Sequence, residues 1–273
     1  MRMKYSICNE LFENWAIEDV FRVAAQIGYD GVEIAPFTLA DSVLDITPQR
    51  RREVVRSADS FGVDIVGLHW LLVRPAGLYL NHPDPEVRRR TRDYLDALIH
   101  FCADIGGKVL IFGSPKQRSV CEGLTFQQAW DYALESFTPI AETARREGVY
   151  FCLEPLSPNE TDFINTVTDA LQMVRKVNSP YFQTMIDIKA ISSDGRPLPE
   201  IIREAGEHAK HVHVNEPDGR GPGQGSTDFG QVFAALQEIG YNGYVSVEVF
   251  DYKPDPLTIA KDSLRHLKKT FEG

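Results

Sequence analysis

The chain has 273 residues, 43% of them hydrophobic and 25% charged, and its formal net charge is −10. This composition is typical of a globular protein with a sizeable core and excludes a disordered or fibrous chain. The acidic balance disfavours nucleic acid phosphates and anionic membrane surfaces as partners. A dense cationic cluster around Arg50–Arg52 falls on the solvated face of a predicted helix.

Short apolar segments rich in β-branched residues alternate along the chain with amphipathic helical segments. The predicted strands are, in chain order, 4–8, 31–34, 64–69, 108–112, 149–154, 182–187, 209–214 and 244–249. The predicted helices are 17–27, 48–61, 84–105, 125–146, 167–177, 198–207, 228–239 and 257–270. Strict alternation of strand and helix requires a parallel sheet.

Two observations favour a closed barrel over an open sheet. The segment GYDGVEI at 28–34 resembles GYNGYVSVEV at 240–249, as expected of repeated βα units. No GxGxxG or GxxxxGK motif occurs, which removes the usual reason to propose a nucleotide-binding open sheet. The predicted fold is therefore α/β, a (β/α)₈ TIM barrel, with residues 1–273 as a single domain.

The cysteines and the lengths of the apolar stretches indicate the cellular compartment of the protein. Cys8, Cys102, Cys121 and Cys152 show no CxxC spacing, which suits a reducing compartment. The first residues contain no apolar signal segment, and no apolar stretch approaches the roughly 20 residues that span a bilayer. We therefore expect a cytoplasmic protein with no membrane association.

Polar residues at the ends of the last four strands indicate a site. Barrel enzymes place their chemistry at the carboxyl ends of the strands. If Val245 and Val247 face the helices, alternation directs Glu248 into the barrel mouth, and the same reasoning applies to His213. Four side chains are expected to converge there: Glu154, Asp187, His213 and Glu248.

Three carboxylates gathered without a cation would repel one another, whereas a divalent ion would neutralise the group. Oxygen ligands with one imidazole suit Mn²⁺, Mg²⁺ or Co²⁺ and allow Zn²⁺. The ligand set alone does not choose among these metals; we expect one divalent metal ion as cofactor, and Mn²⁺ is the expected ion.

At these motifs the chain resembles the xylose isomerase-like barrels, which include ketose 3-epimerases, hydroxypyruvate isomerase, inosose dehydratase and endonuclease IV. The resemblance covers nearly the whole chain. It is carried by Leu153-Glu154-Pro155, the strand end at Asp187, His211-Val212-His213, the loop from Pro222 to Phe229, and Gly243 to Glu248.

The resemblance implies that Glu154, Asp187, His213 and Glu248 bind one metal ion, and that Glu154 and Glu248 also act as acid and base. One carboxylate would remove the proton beside a carbonyl, giving an enediolate that the ion stabilises, and the other would return a proton. The function that this implies is isomerisation or epimerisation of a ketose or a related small polyhydroxylated carbonyl compound in carbohydrate metabolism. Barrels of this family often form homo-oligomers.

Further residues are candidates for substrate binding. Glu160 matches a family glutamate that contacts substrate hydroxyls, and Arg220 resembles a family arginine, although its spacing from His213 is one residue longer. Glu33, His69 and Trp70 lie at the ends of the second and third strands, where hydrogen-bonding groups and flat apolar faces suit a sugar.

One departure from the family keeps alternatives open. The epimerases carry a histidine three residues after the strand-six aspartate, where this chain has Ala190; Lys189 or His211 is the candidate replacement. A metal-dependent dehydratase (lyase) of a cyclic ketone or keto sugar, such as an inosose, begins with the same proton abstraction. A non-catalytic sugar-binding barrel is the alternative from another class.

The DNA-repair branch of the family is disfavoured. Its trinuclear zinc site implies further histidines at positions that Phe112 and Ala190 occupy here. The net charge of −10 also opposes DNA binding.

Overall fold

The computed structural model describes residues 3–272, and in them eight parallel strands close into a barrel in the order of the sequence. The strands are β1 (Lys4–Cys8), β2 (Gly31–Ile34), β3 (Asp64–Leu68), β4 (Val109–Phe112), β5 (Tyr150–Leu153), β6 (Phe182–Asp187), β7 (Ala209–Val214) and β8 (Tyr244–Val247). Pairing of β1 with β8, from Lys4 opposite Tyr244 onward, closes the barrel. The predicted (β/α)₈ fold is confirmed.

Helices surround the barrel. They are α1 (Ile17–Ile27), α2 (Pro48–Phe61), α3 (Pro85–Asp104), α4 (Phe126–Glu147), α5 (Val167–Val177), α6 (Ile188–Ile191), α7 (Leu198–Ala205), α8 (Phe229–Glu238) and α9 (Pro256–Glu272). Threonines cap α2, α4 and α5 by accepting backbone N–H hydrogen bonds, and Asp228 caps α8 in the same way. The short α6 was not predicted, because four residues carry no helical periodicity.

Alternation along the strands separates two apolar layers. Val212, Val214, Val245 and Val247 pack in the large core between strands and helices. Val66, Val109, Ile111, Cys152 and Met185 form a separate small cluster, which we assign to the barrel interior because they alternate with residues of the outer core.

Among residues 3–272, no helix combines the length and hydropathy that crossing a bilayer requires.

Candidate metal centre and active site

Four side chains from neighbouring strands meet at the carboxyl end of the barrel. Glu154 directly follows β5, Asp187 ends β6, His213 lies in β7 and Glu248 directly follows β8. Each offers one ligand atom, and these atoms all lie within 4.8 Å of one another. All four residues are buried. Three acids and one imidazole therefore share one enclosed space.

The imidazole of His213 is directed at the three carboxylates. Its Nδ1 lies 3.0 Å from Glu248 Oε2, 3.8 Å from Asp187 Oδ2 and 3.9 Å from Glu154 Oε1. This buried nitrogen has no hydrogen-bond partner of good geometry among the described residues. A nitrogen placed in this way among carboxylate oxygens suits ligation of a divalent cation.

Glu33 fixes the other side of the same ring. Its Oε1 lies 3.1 Å from His213 Nε2, and its Oε2 lies 2.6 Å from His211 Nε2. Metal-binding histidines usually give their second N–H to such an acceptor, which sets the tautomer and leaves the first nitrogen free for the metal. Glu33 and His211, which the sequence predicts as substrate contacts, are both buried and lie within hydrogen-bond distance of each other.

Burial and mutual repulsion shift the pKa values of the three acids. Burial, together with the charges of Glu248 and Asp187, raises the pKa of Glu154 well above its usual range. Burial also raises the pKa of Asp187 to about 6. Burial also acts to raise the pKa of Glu248, but the adjacent His213 outweighs this effect, and the pKa of Glu248 is lowered. The donor set fits one divalent ion, since such an ion would relieve this repulsion.

Metal binding should therefore depend on pH. In the metal-free protein, Glu154 and Asp187 hold protons to higher pH than in the unfolded chain. The contribution of Asp187 to stability therefore falls as pH rises from about 4 to 6. An ion must displace those protons, so stabilisation by Mn²⁺ should grow between about pH 5 and pH 7. We expect the difference in Tm between Mn²⁺ and a chelator to widen over that range; a constant difference would contradict this account.

Further contacts hold the acids in place. Asp187 Oδ1 accepts a hydrogen bond from the backbone N–H of Ala190 at 2.7 Å, and its Oδ2 accepts one from Asn215 Nδ2 at 3.0 Å. Gly113 makes room for Glu154, because a Cβ there would lie 2.2 Å from Glu154 Oε2. Asn215 and Gly113 were not among the predicted residues. Asn215 follows His213 by two positions, so alternation along β7 was a usable signal.

A small cavity of about 50 Å³ opens beside the acids. Its lining includes His69, Trp70, Glu154, Glu160, Glu248 and Phe250. Lys189 Nζ donates to Glu160 Oε1 at 2.7 Å and lies 4.8 Å from the centre of the Phe250 ring. Trp70 contacts the same ring, with the two centres 6.2 Å apart. A cation, a carboxylate and two aromatic rings therefore border the mouth.

Two predicted residues, His69 and Arg220, have further contacts that the sequence did not indicate. His69 Nε2 lies 2.6 Å from Glu10 Oε2, a partner that the sequence did not indicate. Arg220 donates to Asp218 in its own loop and is partly exposed, so the structure does not bring it into the group around His213.

A larger cavity of about 690 Å³ lies at the opposite end of the barrel, where Asp64, Tyr150, Ala209 and Tyr244 begin their strands. Size alone would favour it as the site. The three acids and His213 lie at the other end, and barrel enzymes carry out their chemistry there, so we assign the site to the smaller cavity.

Comparisons with known proteins agree with the architecture. The chain is 26% identical to a probable ketose 3-epimerase of Synechocystis, covering 93% of this chain and 91% of that protein. It is 27% identical to a D-psicose 3-epimerase of Ruminiclostridium cellulolyticum, covering 91% and 84%. It is 23% identical to a 3-dehydro-D-guloside 4-epimerase of Escherichia coli, covering 97% and 99%.

Solved structures share the fold. A D-psicose 3-epimerase of Clostridium cellulolyticum, solved with D-tagatose, superposes with a TM-score of 0.88 at 22% identity, covering 98% of this chain and 99% of that one. A family 2 AP endonuclease of Brucella melitensis gives a TM-score of 0.79 at 20% identity, covering 97% and 99%. Residues 21–270 match the family described as xylose isomerase-like TIM barrel. The chain belongs to the xylose isomerase-like TIM barrel family.

Proposed function

We propose that this protein is a divalent-metal-dependent epimerase or isomerase of a ketose or a related small polyhydroxylated carbonyl compound. One observation carries the proposal. Glu154 after β5 and Glu248 after β8 lie in the same buried group, and Asp187 and His213, from the two strands between β5 and β8, complete it. The relatives named as 3-epimerases and as a 4-epimerase support the same reaction class.

The two glutamates differ in the way that proton transfer requires. Burial and neighbouring acids raise the pKa of Glu154, whereas the pKa of Glu248 is lowered by His213 despite its burial. Environments that push two carboxyl pKa values apart favour one acid and one base. Glu248 would then accept the proton from carbon, and Glu154 would donate one to the opposite face.

The ion that these residues suit would polarise the carbonyl and lower the pKa of the adjacent carbon-bound proton. His213, oriented by Glu33, and Asp187, held by Asn215 and the N–H of Ala190, would bind it. Lys189 is the candidate replacement for the family histidine whose position Ala190 occupies. Its Nζ lies beside Glu160 at the cavity, where the pair would bind substrate oxygens.

A dehydratase of a cyclic ketone or keto sugar is the second candidate. The observation in its favour is Ala190, because the histidine that polarises substrate in the epimerases is missing. Both reactions begin with removal of the same proton. The epimerase then returns a proton to the opposite face of that carbon, whereas the dehydratase expels the hydroxyl group of the neighbouring carbon as water.

Solvent exchange tests these candidates together. The Mn²⁺-loaded protein is incubated in D₂O with ketoses, ketose phosphates, keto glycosides, hydroxypyruvate and inososes, and products are followed by NMR and mass spectrometry. An epimer carrying one deuterium at the inverted carbon supports the proposal, and loss of water supports the dehydratase. Binding of a sugar without deuterium incorporation into any of these compounds would overturn both and favour a non-catalytic binder.

A further inference from the structure

A second group of potential ligands lies next to the first and has no part in the proposed reaction except through Glu248. Cys8 ends β1, Glu10 lies in the turn that follows, and His69 follows β3. One ligand atom from each of these residues and one from Glu248 all lie within 4.8 Å of one another. All four residues are buried.

The atoms of this group have unused ligand capacity. Glu10 is 6% exposed, and its Oε1 is buried without a hydrogen-bond partner among the described residues. Its Oε2 lies 2.6 Å from His69 Nε2. An isolated carboxylate oxygen in an enclosed space is costly unless a cation or a donor meets it.

His69, like His213, directs one ring nitrogen at an acid and the other toward Glu33. Its Nδ1 lies 3.6 Å from Glu33 Oε1, while its Nε2 faces the carboxylate of Glu10. In His213, Nε2 faces Glu33 and Nδ1 faces the carboxylates of the first group. Glu33 therefore lies between two imidazoles, and each directs its other nitrogen at acids. The Glu33–His213 contact has hydrogen-bond geometry, as in the carboxylate–histidine–metal arrangement, whereas the Glu33–His69 contact is too long for a hydrogen bond.

We propose that Cys8, Glu10, His69 and Glu248 bind a second divalent cation, with Glu248 shared between the two ions. Sulfur and imidazole ligands beside two carboxylates suit Zn²⁺ or Co²⁺. The first group offers three carboxylates and one imidazole and no sulfur, a set that suits Mn²⁺ or Mg²⁺ as well as Co²⁺. The two sites therefore differ in metal preference as well as in position.

Cobalt gives a direct test, because a Co²⁺–thiolate bond produces a charge-transfer absorption that oxygen and nitrogen ligands do not. The chelator-treated full-length protein is titrated with Co²⁺, and bound metal is measured by mass spectrometry alongside the absorption spectrum. We expect two Co²⁺ per chain and a thiolate band. Cys8→Ser should remove the band, whereas Cys152→Ser, which alters another fully buried thiol of the barrel outside the group, should retain it.

Two further variants separate the sites. Glu10→Gln combined with His69→Asn should bind one Co²⁺ per chain, and Asp187→Ala should weaken the first site while retaining the thiolate band. One Co²⁺ per wild-type chain, or a band that persists in Cys8→Ser, would overturn the second site. A chain that binds one ion and still exchanges deuterium into substrate would keep the proposed function, so the two proposals fail independently.

Discussion

Replacing either Glu154 or Glu248 with glutamine is expected to lower kcat for epimerisation by about 10²–10⁴, the range that positioned acid–base groups usually contribute. Glutamine keeps a carbonyl oxygen near the ligand position but cannot carry the proton. The measurement is kcat at saturating Mn²⁺, with bound metal determined in the same samples so that loss of the ion is not mistaken for loss of the acid or base.

Isotope exchange sharpens this prediction. If one carboxylate serves each face of the carbon, a variant that lacks one of them should still wash solvent deuterium into one epimer without inverting it. Glu238→Gln is the matched control, because Glu238 is an exposed carboxylate bonded to Arg203 on the helical surface. Full turnover in Glu154→Gln or Glu248→Gln would remove that residue from the mechanism.

Replacing Glu33 with glutamine should affect both stability and metal affinity. Glu33 is fully buried and meets His211 and His213 with its two oxygens. Breaking a buried charge pair costs about 3–5 kcal/mol of unfolding free energy. Loss of the acceptor that orients a metal-binding histidine lowers metal affinity by about 10–100-fold. Urea unfolding of the metal-free protein and calorimetric titration with Mn²⁺ measure the two effects.

The stability effect should also vary with pH in a defined direction. Burial acts to raise the pKa of Glu33, but His211 and His213 outweigh it and hold the pKa well below its usual range. A depressed carboxyl pKa stabilises the fold above the unfolded value of about 4.3, and that stabilisation is lost as pH falls through the folded value. The difference between wild type and Glu33→Gln should therefore be large at neutral pH and shrink in acid.

Glu216 provides a control for this variant. It is another buried carboxylate, and it accepts hydrogen bonds from Gly223 and Thr227 in the loop after β7. Glu216→Gln should lower stability while leaving Mn²⁺ affinity unchanged. Equal loss of Mn²⁺ affinity in both variants would show that general loosening of the barrel, and not the orientation of His213, explains the result.

The fold was predictable from the sequence because its signals are local. Strand and helix alternate with distinct periodicities, and the structure begins and ends α1, α2 and α5 at the predicted residues. Alternation along β7 and β8 was enough to predict the direction of His213 and Glu248, since successive side chains on a strand point to opposite faces. The short α6 lies below the length at which a period can be recognised.

The pairing of side chains across the barrel was decided by the tertiary structure. Glu33 and His211 are 178 residues apart, and Glu10 and His69 are 59 apart, yet each pair is joined at 2.6 Å. Such contacts depend on the stagger of the strands and on the tilt that closure imposes, which no local pattern encodes. The sequence determined which residue types lie at the strand ends and whether their side chains point into the barrel. Only the closed barrel decided that Glu33 lies between two histidines and that Glu10 lies beside a third.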